Sequence, residues 1–207
     1  MLDLFRNAGI VQWPLLLCSI FSLAIVLERL WTLGRLSRLE DEAFETLKSA
    51  RDPEAVNNPQ IAGTPVARII HALLPLRGTS PETIAQAADI ALAMQRLRLR
   101  RFLGTLATVG STAPFIGLFG TVLGVMHAFK EMSALGAAGQ GMTMSVGISE
   151  SLSATALGLL VAVPSIIAYN YFVGRVGVML LHIQAHVALL SPLLTGEQTR
   201  DAQKAKV

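Results

Sequence analysis

Three stretches of this chain, residues 7–27, 102–129 and 151–174, are free of Asp, Glu, Lys and Arg. A helix needs roughly 20 apolar residues to cross the hydrocarbon core of a bilayer, and each stretch is long enough. The composition agrees: 52% of residues are hydrophobic and 15% charged, against about a quarter charged in soluble domains. The expected fold is therefore all-α, an integral membrane protein with three transmembrane helices.

The first span is expected over Ile10 to Trp31, with Trp13 and Trp31 as interfacial anchors and Pro14 tolerated in the first turn. Beyond Glu28-Arg29, apolar residues recur at helical spacing (Leu36, Leu39, Ala43, Phe44, Leu47), which extends the helix to about Arg51. Asp52-Pro53, Asn57-Asn58-Pro59 and Gly63-Thr64-Pro65 make 52–65 a linker. A short helix is expected over Val66 to Leu76. Ser80 then reads as an N-cap, with Pro81 at the first helical position and Glu82 in the first turn. Nothing breaks the pattern from there to Met132, so one helix of roughly 50 residues and about 75 Å is predicted. Gly136 to Gly141 is the turn of a tight hairpin. The third span continues past Arg175 as an amphipathic helix to Leu190, where Ser191-Pro192 stops it and a polar tail follows.

Ten Lys and Arg lie in 32–101, against one in the N-terminal segment and one in the hairpin, Lys130. The basic side is cytoplasmic, so the N-terminus is expected outside and the C-terminus inside. The resulting map is an outer N-terminus (1–9), a first span (10–31), a cytoplasmic helical region (32–102) and a second span (103–132). An outer hairpin (133–142), a third span (143–174) and a cytoplasmic helix and tail (175–207) complete it. The second and third helices thus extend far into the cytoplasm. The net charge of +3 follows from this topology rather than from nucleic-acid binding. The cluster Arg96, Arg98, Arg100 and Arg101 suits lipid headgroups at the start of span two. The first run reads as a retained anchor, since no basic n-region precedes it.

Span two carries small residues on one face: Gly110, Pro114, Gly117, Thr121 and Gly124. Span three does the same with Gly147, Ser151, Thr155, Gly158, Ala162 and Ser165, and Pro164 lies beside that stripe. Small residues let helix backbones approach in lipid, and close packing accounts for the glycines. It does not account for Glu150, preceded by 18 uncharged residues and followed by 24. A charge at mid-bilayer costs several kcal/mol and marks a functional site. If the hairpin turns near Ala138, Thr121 and Thr155 lie at similar depth, with Glu150 about 7 Å nearer the outside. An interfacial acid reaching water or Lys130 is the bland alternative. A threonine in a membrane helix more often bonds back to its own helix.

The single cysteine, Cys18, sits in the first run and excludes an intrachain disulfide. His182 and His186 have metal-compatible spacing, but no third ligand is near, so neither a metal nor a cofactor is expected. No Walker loop, GxSxG or HExxH occurs, and an enzyme is not expected.

Ala113-Pro-Phe-Ile-Gly-Leu-Phe-Gly-Thr-Val122, with Gly124-Val-Met-His-Ala-Phe129, resembles the second-span signature of the MotA/TolQ/ExbB proton-channel family. Gly147-Ile-Ser-Glu-Ser-Leu-Ser-Ala-Thr-Ala-Leu-Gly158, then Ala162-Val-Pro164 and Ala168-Tyr-Asn170, resembles the third. The resemblance implies a homopentamer around a central pore that holds the single-span helices of an ExbD- or TolR-like partner. Proton flow past an acid on that partner would drive motion, delivered through a TonB- or TolA-like protein, in the bacterial inner membrane. By position, Thr121, Glu150 and Thr155 match the family's pore-associated Thr, Glu and Thr, and Ser151 adds a hydroxyl beside the acid. ExbB-type chains are the nearer resemblance and TolQ-type the second. A passive membrane scaffold, using the stripes only for packing, is the reading from another class.

Overall fold

A computed structural model describes residues 11–50, 52–135 and 140–195; in 134, 135, 140–146, 150 and 195 only the backbone course is described. Helix α1 covers Gln12–Ala50, α2 Pro65–Leu73, α3 Pro81–Leu99, α4 Leu103–Leu135, α5 Gln140–Leu190 and α6 Pro192–Thr195. Short 3-10 turns occupy Pro53–Asn57 and Leu74–Leu76. Among the described residues there is no strand, and α1, α4 and α5 are each long and apolar enough to cross a membrane.

Local chemistry sets these boundaries. Thr64 caps α2, accepting from the Ala67 amide at 3.4 Å, and Pro65 opens the helix. Ser80 caps α3 in the same way, accepting from the Thr83 amide at 3.2 Å with Pro81 first in the helix. Each hydroxyl satisfies an amide that has no partner inside its helix. Asp52 does the same for the first 3-10 turn through the Glu54 amide.

The single helix predicted from Pro81 to Met132 is two. It breaks at Arg100–Phe102, where Phe102 takes a left-handed φ of 62°. Such a φ is uncommon for any residue but glycine. No Gly or Pro announces the break. Instead Arg96 and Arg98 lie in the last turn of α3, whose free carbonyls favour positive charge. The Arg100 amide closes on Arg96, and the Thr105 amide starts α4 on the Phe102 carbonyl. Helices α4 and α5 also run into the expected hairpin, reaching Leu135 and beginning at Gln140. Its turn, 136–139, and the tail from 196 lie outside the described residues.

The chain divides into two compact units. The apolar unit comprises the described residues of Met1–Glu28 with Phe102–Phe172, and the charged unit those of Arg29–Arg101 with Val173–Val207. In the apolar unit Leu15, Val109, Ala113 and Ala162 form a buried cluster, with Cys18, Ile116, Leu157 and Val161 packed on it. Outward-facing Phe21, Phe115, Phe119, Leu160 and Ile167 remain exposed, as a lipid-facing surface would be. In the charged unit Leu47, Ile69, Ile70, Leu73 and Ile183 are fully buried. The Gly78 amide donates to the Leu194 carbonyl at 3.0 Å, which ties α6 to the turn before α3.

A buried hydroxyl beside a glycine crossing

Helices α4 and α5 meet backbone to backbone. A Cβ added at Gly117 would stand 2.7 Å from the Ala154 carbonyl oxygen, and one at Gly158 would stand 2.6 Å from that of Ala113. No side chain fits at either position, so the approach depends on both glycines. The same antiparallel register sets Gly124 against Ser151, Gly147 against Ala128 and Gly110 against Ile166. It also brings Thr121 level with Ala154 and Thr155.

The buried positions of α4 are Leu103, Leu106, Val109, Gly110, Ala113, Gly117, Gly120 and Ala128, with Gly124, Pro114 and Thr121 half-buried. Ala113 and Gly120 are therefore seam residues that the stripe pattern did not reveal. On α5, Ser151, Gly158, Ala162 and Ser165 are buried and Thr155 is half-buried, whereas Pro164 is exposed. The packing role expected of Pro164 is not seen within the chain, because its side chain falls outside the buried seam of α5.

The hydroxyls divide into two kinds. Thr121 donates to the Leu118 carbonyl at 2.6 Å, Ser151 to Ile148 at 2.8 Å and Ser165 to Val161 at 2.7 Å. These bonds stay within one helix, the ordinary state of a membrane hydroxyl. Thr155 differs. Its Oγ1 is buried and has no hydrogen-bond partner among the described residues, and its Cα borders Gly117 at the crossing. An unmade bond to a buried hydroxyl costs about 1–3 kcal/mol, so Thr155 Oγ1 stands apart from the three satisfied hydroxyls of the seam. The Glu150 side chain lies outside the described residues; its backbone lies on α5 one residue before Ser151.

Arg96, Arg98, Arg100 and Arg101 belong to the charged unit and are exposed. Among the described residues no group of three His, Cys, Asp or Glu gathers as a metal site. His186 stacks on Phe44 with ring centroids 3.8 Å apart, and His182 stands 6.5 Å from it.

Several buried polar features escaped sequence reasoning. The Ser22 and Ser165 hydroxyls pair at 2.6 Å, joining α1 to α5. Glu40, nine residues beyond Trp31 and outside the span, is 2% exposed. Its Oε1 accepts from the Val66 amide at 2.9 Å, while Oε2 is buried without a partner among the described residues. Burial pushes its pKa up to about 7; the Val66 bond opposes this and Asp41 adds to it. A signal existed for Glu40, since it follows Leu33 by seven residues and precedes Leu47 by seven on one helix face.

Three apolar helices, two of them joined by a glycine crossing and with polar hydroxyls inside, define an all-α integral membrane protein. Residues 61–185 match the model of the MotA/TolQ/ExbB proton channel family, and the chain belongs to that family. An ExbB-like biopolymer transport protein of Synechocystis is 32% identical over 179 residues, covering 84% of this chain and 70% of that protein. The Tol-Pal system protein TolQ of Pseudomonas aeruginosa is 45% identical over 94 residues, 45% of this chain and 40% of that one. The biopolymer transport protein ExbB of Pseudomonas putida is 33% identical over 174 residues, 80% of this chain and 50% of that one. The aligned region thus spans about half the length of the latter two relatives. Family and apolar helices together support a protein of the bacterial inner membrane.

Proposed function

We propose that this chain is a proton-channel and motor subunit of an ExbB-type inner-membrane complex. In this reading it assembles as a homopentamer around a pore that receives the single-span helices of an ExbD-like partner. Proton flow past an acid on the partner then does work on a TonB-like protein to energise outer-membrane import. Thr121, Ser151 and Thr155 offer hydroxyls to the path, and Glu150 stands beside it as a tuning or gating group. The N-terminus is periplasmic and the C-terminus cytoplasmic, as the Lys and Arg distribution suggests.

The observation that carries the reading is the buried Thr155 hydroxyl with no partner among the described residues. A helix stripe serving only to pack has no use for an unsatisfied hydroxyl, and valine would fill the same space. The test is energised uptake, together with proton flux in proteoliposomes, for Thr155→Val and Thr121→Val, with assembly followed by size-exclusion chromatography. Thr155→Val is expected to lower both at least tenfold in an intact complex. Thr121→Val is expected to act more weakly, because its hydroxyl is satisfied by Leu118. Full activity in assembled Thr155→Val and Glu150→Gln complexes would return the chain to the passive-scaffold reading. A second reading, a TolQ-type subunit working with TolR- and TolA-like partners, is favoured by the 45% identity to the Pseudomonas aeruginosa TolQ.

A further inference from the structure

The charged unit contains a groove of about 730 Å³ between the first 3-10 turn, α2 and α3. This is the size of a ligand site rather than a packing defect. Its floor is alanine from both helices (Ala67, Ala87, Ala91), and Ile90 and Met94 form an apolar wall. Ile90 is 68% exposed. Arg68, His71 and Arg98 also line it, with no carboxylate, and none of the three makes an ion pair among the described residues. A smaller groove lined by α3 and the end of α5 contains Asp89 and lacks any Arg or Lys. Of these two grooves, only the one on the α2 side of α3 carries arginine.

Gln95 adds a primary amide to the groove. Its side chain lines it and is 6% exposed, and its amide atoms are not among the buried polar atoms that lack a partner. A primary amide offers a donor and an acceptor together, the complement of one peptide group. Guanidinium groups complement carboxylates in charge and in fork geometry. Methionine adapts its shape to varied apolar side chains. From Ala87 to Arg98 the α3 wall is about 16 Å long, the length of roughly five extended residues.

We propose that the α2–α3 groove binds an extended peptide segment of another protein, one with acidic residues alternating with apolar ones. Gln95 pairs with the segment's backbone, Arg68 and Arg98 hold its carboxylates, and Ile90 and Met94 receive an apolar side chain. This site is separate from the proton path, and it stands or falls independently of it.

The test uses the full-length chain in nanodiscs and a fluorescein-labelled peptide of alternating Leu and Glu. Matched peptides carry Gln or Lys in place of Glu, and binding is read by fluorescence anisotropy. The Glu peptide is expected to bind at least tenfold more tightly than the Gln peptide, and the Lys peptide not at all. Changing Arg68→Glu and Arg98→Glu together should weaken it at least tenfold; both side chains are exposed, so the fold is expected to survive. Gln95→Leu should weaken both the Glu and the Gln peptides by about fivefold, because it removes a backbone contact. Equal binding of the Glu and Gln peptides, or indifference to the double variant, overturns the proposal. So does displacement of the peptide by phosphatidylglycerol vesicles, which would make the groove a lipid site. Failure of a maleimide to label Met94→Cys, in a Cys18→Ala background of the assembled protein, also overturns it, since a second copy would then cover the groove.

Discussion

Helix α5 has one buried seam and two kinds of residue in it. In the apolar unit the buried positions are Ser151, Ala154, Gly158, Ala162 and Ser165, ending on one large side chain, Phe172; in the charged unit they are Val176, Leu180, Ile183, Val187 and Leu190. The spacing is three or four residues within each set, with seven from Ser165 to Phe172. Only the size changes, and the surroundings explain why. In lipid a leucine gains nothing by leaving the solvent, so attraction comes from close backbone approach and dispersion, which small residues permit. In water each Å² of apolar surface removed is worth about 25 cal/mol, so large side chains are favoured. Buried ionisable groups follow the same division: among the described residues Arg29 and Glu40 lie in the charged unit, while the buried polar side chains of the apolar unit, Gln12, Ser22, Ser151 and Ser165, are all neutral.

The largest expected effect would break this comparison at its tightest point. Gly158→Leu places a side chain where a Cβ alone would stand 2.6 Å from the Ala113 carbonyl and 3.1 Å from the Gly117 Cα. Backbone atoms cannot give way as a side-chain tip can, so α4 and α5 must separate. The expected outcome is a more than tenfold loss of monodisperse protein on size-exclusion chromatography. Gly104→Leu is the control, because a Cβ there meets nothing within 4 Å. Equal yields for the two variants would show that small residues at the seam are incidental.

The intermediate effect probes the charged unit. The Glu40 carboxyl moves from an ordinary 4.5 to about 7 on burial, so the folded state binds its proton more tightly than the unfolded state. Its contribution to stability is therefore fully present below pH 4.5 and is lost as pH rises through 7. A shift of that size corresponds to about 3 kcal/mol as an upper figure. Denaturant unfolding of the full chain in detergent, from pH 4.5 to 8, should show stability falling toward pH 7. The slope should vanish from that window in Glu40→Gln. An identical slope in the variant would assign the pH dependence to different groups.

Much of this was legible in the sequence, for identifiable reasons. The spans were visible because a helix surrounded by water rarely goes 20 residues without a charge, and the Ser80 cap because Pro81 and Glu82 follow it; Thr64 read only as part of a linker. The break at Phe102 was not, since its φ of 62° falls on a residue with no turn preference. Thr121 and Thr155 looked equivalent at the same depth, and only coordinates separate a hydroxyl satisfied by Leu118 from one left without a partner among the described residues. The groove around Gln95 was invisible for a similar reason: its walls lie on α2 and α3, far apart in spacing and ordinary in composition.

The smallest expected effect sharpens the comparison between hydroxyl and carboxyl. Ser165 uses its hydrogen on the Val161 carbonyl, so in the pair with Ser22 it is Ser22 that donates and Ser165 that accepts. Ser22→Ala removes one donor and leaves the Ser165 bond to Val161 intact. Interhelical hydrogen bonds in membranes average about 0.6 kcal/mol and reach about 1.7, and the lower figure is expected here. Ser165→Ala should cost more, because the buried Ser22 hydroxyl then loses its acceptor at 2.6 Å. Unfolding of the full chain by SDS in mixed micelles measures both. The order of the two variants matters more than their size, since a donor assigned the other way would reverse it. If either variant lost as much stability as Glu40 gains on protonation, buried neutral hydroxyls would not be the mild form of polarity that the apolar unit tolerates.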